Sequence, residues 1–146
     1  MILAVEDNAS DLILLRLALE HYAPPERFQS VTDGEQAMRL LSQLAAAGSL
    51  PDTVVLDLHL PRVDGYTVLT QIRSNSLFNS VAVLVYTSSD SDVDRKLALD
   101  RGADAYFSKP CDLAAYRRLP GAIEEARQHR SERLSANSRR GGRTQN

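Results

Sequence analysis

The stretch "TVVLDLHLPRVDGY", residues 53–66, opens as a strand and places a carboxylate, Asp57, at the end of its apolar run. "TVVLDL" and, at 81–86, "VAVLVY" are nearly continuous apolar runs rather than alternating ones. That is the pattern of central strands in a parallel sheet covered on both faces. An unpaired ionised carboxylate at such a place is costly, so other residues must neutralise it.

Working outward, strand-like runs occur at Ile2–Val5, Phe28–Val31, Thr53–Leu58, Val81–Tyr86 and Ala105–Phe107. Helix-period segments lie between them. Ser10 and Asp11 are placed to cap "LILLRLALEHY", and Asp33-Gly34 precedes "EQAMRLLSQLAAAG", which Gly48 ends. Gly65 begins "YTVLTQIRS", Ser89-Asp90-Ser91 precedes "DVDRKLALDRG", and Asp112 caps "LAAYRRL". Five strand–helix units in alternation predict an α/β domain with a parallel sheet and helices on both faces. Pro120-Gly121 interrupts the last helical pattern, which a kinked helix or two short ones would equally satisfy. The first helix is apolar nearly all round, more than one sheet-facing stripe requires, which predicts leftover surface for docking another helix.

The 146 residues suit one domain, with no internal repeat and no uninterrupted apolar run of about eighteen residues that could span a membrane. Met1 leads directly into "ILAVEDN", which does not read as a signal peptide. Cys111 is the single cysteine, which excludes an intrachain disulfide and fits a reducing, cytoplasmic location. Residues 127–146 hold six arginines and one glutamate, net +5, leaving −7 for the rest of a chain whose total is −2. They are expected to form the end of the last helix and a basic tail, "SANSRRGGRTQN", of disordered composition. The tail has no interleaved aromatics and reads as solvated rather than as a DNA-binding element.

In an open parallel sheet, polar groups at the carboxyl ends of the strands converge on one crevice. Glu6 and Asp7 follow the first strand, Asp57 ends the third, Thr87 ends the fourth, and Lys109 follows the fifth. Three carboxylates at about 4 Å repel by roughly 4 kcal/mol per pair at an effective dielectric near 20. Such a cluster binds protons or recruits a cation, and an all-oxygen ligand set suits Mg2+. A carboxylate beside a hard cation, a hydroxyl and an ammonium is arranged to accept a phosphoryl group.

Together these residues resemble the receiver domain of bacterial two-component response regulators, over residues 2 to about 126. "VEDN" resembles the family's acidic pair, and "LDLHLPRVDG" its phosphoacceptor loop. "VYTSS" resembles its switch hydroxyl and "AYFSKP" its lysine–proline pair. The resemblance implies a flavodoxin-like (βα)5 domain, doubly wound, with strands in the order 2-1-3-4-5. It implies Asp57 as phosphoacceptor, with Thr87 and Lys109 assisting. Mg2+ would be held by Glu6, Asp7, Asp57 and the main-chain carbonyl of His59. Thr87 and Tyr106 would form the switch, the side chains of His59 and Ser89 would tune phosphoryl lifetime, and the Lys109–Pro110 bond would be cis.

The donor implied is a sensor histidine kinase, and "EDN" with "DLHLPRVDG" looks most like stand-alone receivers paired with bacterial phytochromes. A downstream protein or a homodimer would read the change, and onward transfer in a phosphorelay is an alternative. Such a chain is a phosphoacceptor switch that assists its own phosphorylation and dephosphorylation, not an enzyme acting on other substrates. A flavin carrier would need small hydroxyl residues where Glu6 and Asp7 stand. A dehalogenase-type phosphatase would need a second acid where His59 stands.

Overall fold

The computed structural model describes residues 1–141. Five strands, β1 (Ile2–Val5), β2 (Phe28–Val31), β3 (Thr53–Leu56), β4 (Ala82–Thr87) and β5 (Ala105–Ser108), form one sheet. Its order is β2-β1-β3-β4-β5 and every pairing is parallel. The helices are α1 (Ala9–Leu19), α2 (Gly34–Ala46), α3 (Gly65–Ser74), α4 (Asp92–Asp100) and α5 (Leu119–Gly141).

Successive strand residues point to opposite faces, so each strand feeds two cores. Leu3 and Val5 of β1, Val54 and Leu56 of β3, and Val83 and Val85 of β4 pack with Ala37 and Leu41 of α2, Val68, Leu69 and Ile72 of α3, and Ala98 of α4. Their neighbours Ile2, Ala4, Val55, Leu84 and Tyr86 pack with Leu15 and Leu19 of α1 and with Leu119, Ile123 and Ala126 of α5. This is the doubly wound arrangement expected from the continuous apolar runs. Leu15 and Leu19 face the sheet, whereas Ile13 and Leu17 stay 59% and 58% exposed, the leftover apolar surface expected of α1.

Several boundaries differ from the sequence reading. β3 ends at Leu56 rather than Leu58, because after Asp57 the chain turns: the His59 N–H donates to Asp57 Oδ1 and the Gly65 N–H to the Leu58 carbonyl. The α1 cap is Asn8, whose Oδ1 accepts from the Asp11 N–H at 3.1 Å, not Ser10 or Asp11. Pro120 falls at a helix start rather than inside one: a separate 3₁₀ turn over Leu113–Arg118 precedes it, and it lies in the first turn of α5. There proline's missing N–H has no intrahelical partner to lose.

The last helix is longer and better anchored than its polar composition suggested. Residues 135–141, expected to be disordered, continue α5 to Gly141; the remainder of the expected tail lies outside the described residues. Past residue 126 the helix remains bound to the domain through Asp104, which is fully buried before β5. Asp104 Oδ2 accepts from Arg73 Nη2 at 2.7 Å and from the Val83 N–H at 2.9 Å. Oδ1 lies 3.3 Å from both Arg130 Nε and Arg133 Nη1 of α5. Burial holds the Arg73 guanidinium down to about 10; Asp104 pulls it up, and the like charges of Arg130 and Arg133 push it further down.

Removing that carboxylate leaves buried cations without a counter-charge, a loss of about 3–5 kcal/mol for a broken buried pair. Asp104→Ala is therefore expected to lower unfolding free energy by that amount in urea titrations. A loss below about 1 kcal/mol, the scale of an exposed pair, would contradict the anchoring role.

Candidate functional site

Sheet register places the functional side chains. Val5 pairs with Leu56 across β1 and β3, so the residues following them, Glu6 and Asp57, leave the sheet side by side. The ladder runs one step further: the Asp57 N–H donates to the Val5 carbonyl and the Glu6 N–H to the Val31 carbonyl, both at 3.1 Å. On the other side Thr87 pairs with Ser108, so Lys109 emerges beside the end of β4, its N–H on the Thr87 carbonyl at 2.6 Å.

Glu6 and Asp57 are 1% and 4% exposed, and the Lys109 side chain is 8% exposed. Lys109 Nζ lies 2.8 Å from Glu6 Oε2, 2.8 Å from Asp11 Oδ2 and 3.1 Å from Asp57 Oδ2. It also sits over the Tyr86 ring, 5.1 Å from its centroid. Asp7 is exposed at the mouth, and one carboxylate oxygen from each of Glu6, Asp7 and Asp57 lies within 4.8 Å of the others. The three acids and Lys109 thus come together, and Thr87 ends the strand beside them, its carbonyl on the Lys109 N–H.

Burial and the surrounding charges act together on the titrating groups of this cluster. Burial pushes the Glu6 carboxyl up to about 7, against the close Lys109 ammonium and the hydrogen bond from the Asn8 N–H, with Asp57 adding repulsion. Burial also opposes the Lys109 ammonium, but Asp11, Glu6 and Asp57 outweigh it and hold its pKa above the ordinary lysine value. Glu6 Oε1 accepts from the Asn8 N–H at 3.0 Å. Oε2 is buried and has no aligned hydrogen bond despite its short distance to Lys109. A buried acceptor left this way is the kind of ligand a hard cation uses, and all the donors present are oxygens. The residues fit a divalent cation such as Mg2+.

The loop bearing Asp57 is held from behind by Gly65. A Cβ at that position would collide with the Asp57 carbonyl and the Leu58 main chain. Only glycine lets α3 start this close beneath the loop that carries Asp57.

Thr87 is fully buried, and its Oγ1 accepts a long 3.5 Å contact from the Ser89 N–H. Tyr106 is 8% exposed and turned inward, its hydroxyl donating to the Ser89 carbonyl at 2.9 Å, with the Arg95 guanidinium 4.8 Å above its ring. Ser108 Oγ donates to the same carbonyl at 3.0 Å. The His59 side chain is exposed, and Ser89 Oγ is committed to Asp94 at 2.6 Å. The expectation of a cis Lys109–Pro110 bond is corrected: no described peptide bond is cis. The trans form is favoured by about 0.5–1 kcal/mol even before proline.

Sequence reasoning missed Asp11 as a partner of Lys109, having given it a capping role. Asp11 lies in the first turn of α1, which starts just after the Glu6–Asp7 loop, and its contact with Lys109 Nζ at 2.8 Å is made only by the fold. Asp94 and Tyr66, which meet at 3.1 Å, carried no signal in the sequence either.

Comparison with known proteins agrees with this geometry. The family model for the response regulator receiver domain matches residues 2–119. The chain is 36% identical over 126 residues to the probable methanogenesis regulatory protein FilR2 of Methanothrix harundinacea, covering 86% of this chain and 81% of FilR2. It is 36% identical over 111 residues to the alkaline phosphatase synthesis transcriptional regulatory protein PhoP of Bacillus subtilis, covering 75% of this chain but only 42% of PhoP. Among solved structures, it is similar to the phosphorylated cyanobacterial phytochrome response regulator RcpA, at 34% identity and TM-score 0.75, covering 85% of this chain and 90% of RcpA. The Mn2+-bound response regulator Rcp1 matches at 29% identity and TM-score 0.70, covering 84% of this chain and 90% of Rcp1. With its strand order, its acidic pocket and these matches in agreement, the chain belongs to the response regulator receiver domain family.

Proposed function

We propose that Asp57 accepts a phosphoryl group from the phosphohistidine of a sensor histidine kinase in a Mg2+-dependent reaction. The observation that carries this reading is Asp57 itself: a buried carboxylate with an ammonium 3.1 Å from one oxygen and two further acids within 4.8 Å. A carboxylate oxygen attacks phosphorus in line, the new bond forms there, and the bond to the imidazole nitrogen breaks. The Lys109 ammonium stabilises the charge on the transferring oxygens, and the buried Thr87 hydroxyl is the donor that responds to the new group. Glu6, Asp7, Asp57 and the His59 carbonyl would hold the metal, which when bound offsets the charge of the phosphoryl oxygens.

The same residues support self-catalysed hydrolysis, so the chain acts as a timed switch rather than as an enzyme on outside substrates. The likeness to RcpA, and to the red-light response regulator RPA3017 at 26% identity, supports a phytochrome-type kinase as donor. The exposed Ile13 and Leu17 on α1, with Leu113 at 71% exposed, suit docking of a kinase helix. The surface of α4, β5 and α5 around Tyr106 would carry the change to a downstream protein or a second copy of the chain. Among the described residues no helix is long and apolar enough to cross a membrane, which is compatible with action in the cytoplasm.

Incubation with acetyl phosphate and Mg2+ is expected to place one phosphoryl group on the wild-type chain and none on Asp57→Asn, read by intact mass. Label retained on that variant would refute the assignment. Lys109→Ala is expected to slow labelling roughly a hundredfold, the scale of removing one preorganised charge-stabilising donor. A wild-type rate in that variant would remove Lys109 from the mechanism. His59→Ala is expected to change the decay rate of the label, and equal decay in both proteins would leave His59 without a tuning role.

A further inference from the structure

The β4–α4 loop, Ser88 to Ser91, is pinned more tightly than a connection needs. The Ser89 carbonyl accepts two hydroxyls, from Tyr106 at 2.9 Å and Ser108 at 3.0 Å. The Ser89 side chain is equally committed: Oγ accepts from the Ser91 N–H at 3.2 Å and donates to Asp94 Oδ2 at 2.6 Å. Asp94 Oδ1 accepts in turn from the Tyr66 hydroxyl of α3 at 3.1 Å, and the Arg101 guanidinium lies 5.0 Å over the Tyr66 ring. The Asp94 N–H closes the ring on Ser91 Oγ at 3.4 Å. Asp94 belongs to the first turn of α4 and is not among the acids that face Lys109.

A serine hydroxyl has one proton to give. In this chain that proton is given to a carboxylate, and charge-assisted O–H···O⁻ bonds of this length are the strong ones. Ser89 lies two residues after Thr87, its N–H on Thr87 Oγ1, so a free hydroxyl here would stand on the loop that edges the Asp57 pocket. We propose that Asp94 is a positioning residue that holds the Ser89 hydroxyl away from water approaching the phosphorylated Asp57, and so lengthens the life of the phosphoryl group. The proposal rests on the phosphoacceptor reading given above. In the step concerned, a water oxygen forms a bond to phosphorus and the bond from phosphorus to the Asp57 oxygen breaks. Inorganic phosphate leaves, the Asp57 carboxylate is restored, and the water proton passes to phosphate and solvent. A hydroxyl released from Asp94 could hydrogen-bond that water and orient it.

The test is a double-mutant cycle on the full chain labelled with acetyl phosphate and Mg2+, with decay followed by intact mass after removal of the donor. Asp94→Ala is expected to speed decay roughly fivefold, which corresponds to about 1 kcal/mol, the scale of one hydrogen bond. Ser89→Ala added to it is expected to restore the wild-type rate, because no hydroxyl remains to be released. A merely structural role of Asp94 would not be rescued by deleting a second side chain. Unchanged or slower decay in Asp94→Ala, or faster decay that persists in the double variant, would overturn the proposal while leaving the phosphoacceptor reading intact. Failure of the wild-type chain to take the label would overturn both.

Discussion

One ammonium among too many carboxylates is the constraint around which this protein is organised. Lys109 Nζ touches Glu6, Asp11 and Asp57 within 2.8–3.1 Å, and Asp7 stands beside them at the mouth. Each carboxylate pair near 4 Å repels by roughly 4 kcal/mol at an effective dielectric near 20, so a single cation leaves the cluster under strain. Burial is the main cause that pushes Glu6 up to about 7, and repulsion from Asp57 adds to it. The three acids whose oxygens lie within 4.8 Å of one another offer an all-oxygen ligand set that fits a divalent cation.

The sheet maintains this arrangement through register. Because the ends of β1 and β3 are level and the ladder continues into Glu6 and Asp57, the main chain that carries the two acids is fixed side by side. The amino end of the sheet shows the inverse composition. There one carboxylate, Asp104, is surrounded by Arg73, Arg130 and Arg133, and its oxygens are further committed to the Val83 N–H. That cluster closes on itself and ties α5 to the domain, whereas the acidic one remains open to an added cation. The difference lies on the carboxylates: both Asp104 oxygens accept hydrogen bonds, Oδ2 from Arg73 and the Val83 N–H and Oδ1 from Arg133, although Arg130 Nε beside them makes none, whereas Glu6 Oε2 has no aligned donor.

What could be read from sequence was what periodicity and strand ends control. The five strands, their parallel pairing and the placing of Glu6, Asp7, Asp57, Thr87 and Lys109 at strand ends follow from apolar runs that end in polar residues, whereas the strand order came from the family resemblance. What escaped depends on side-chain geometry between distant segments. Asp11 looked like a cap because an acid in a first helical turn usually suits the helix dipole; only the fold brings Lys109 to it across 98 residues. The stretch from Ser135 looked disordered because its composition is polar, and composition does not show that α5 is already nucleated and anchored by Arg130 and Arg133. Helix propagation costs far less than nucleation, so an anchored helix extends into sequence that would not start one. The Ser89–Asp94–Tyr66 chain needed three rotamers to be known together.

The most direct test of the central claim is calorimetric titration of the wild-type chain with Mg2+ at neutral pH. The account predicts uptake of one ion per chain, accompanied by proton release from the acidic pocket and lost when Asp7 is replaced by asparagine. Absence of any uptake, or uptake indifferent to the Asp7→Asn change, would contradict it.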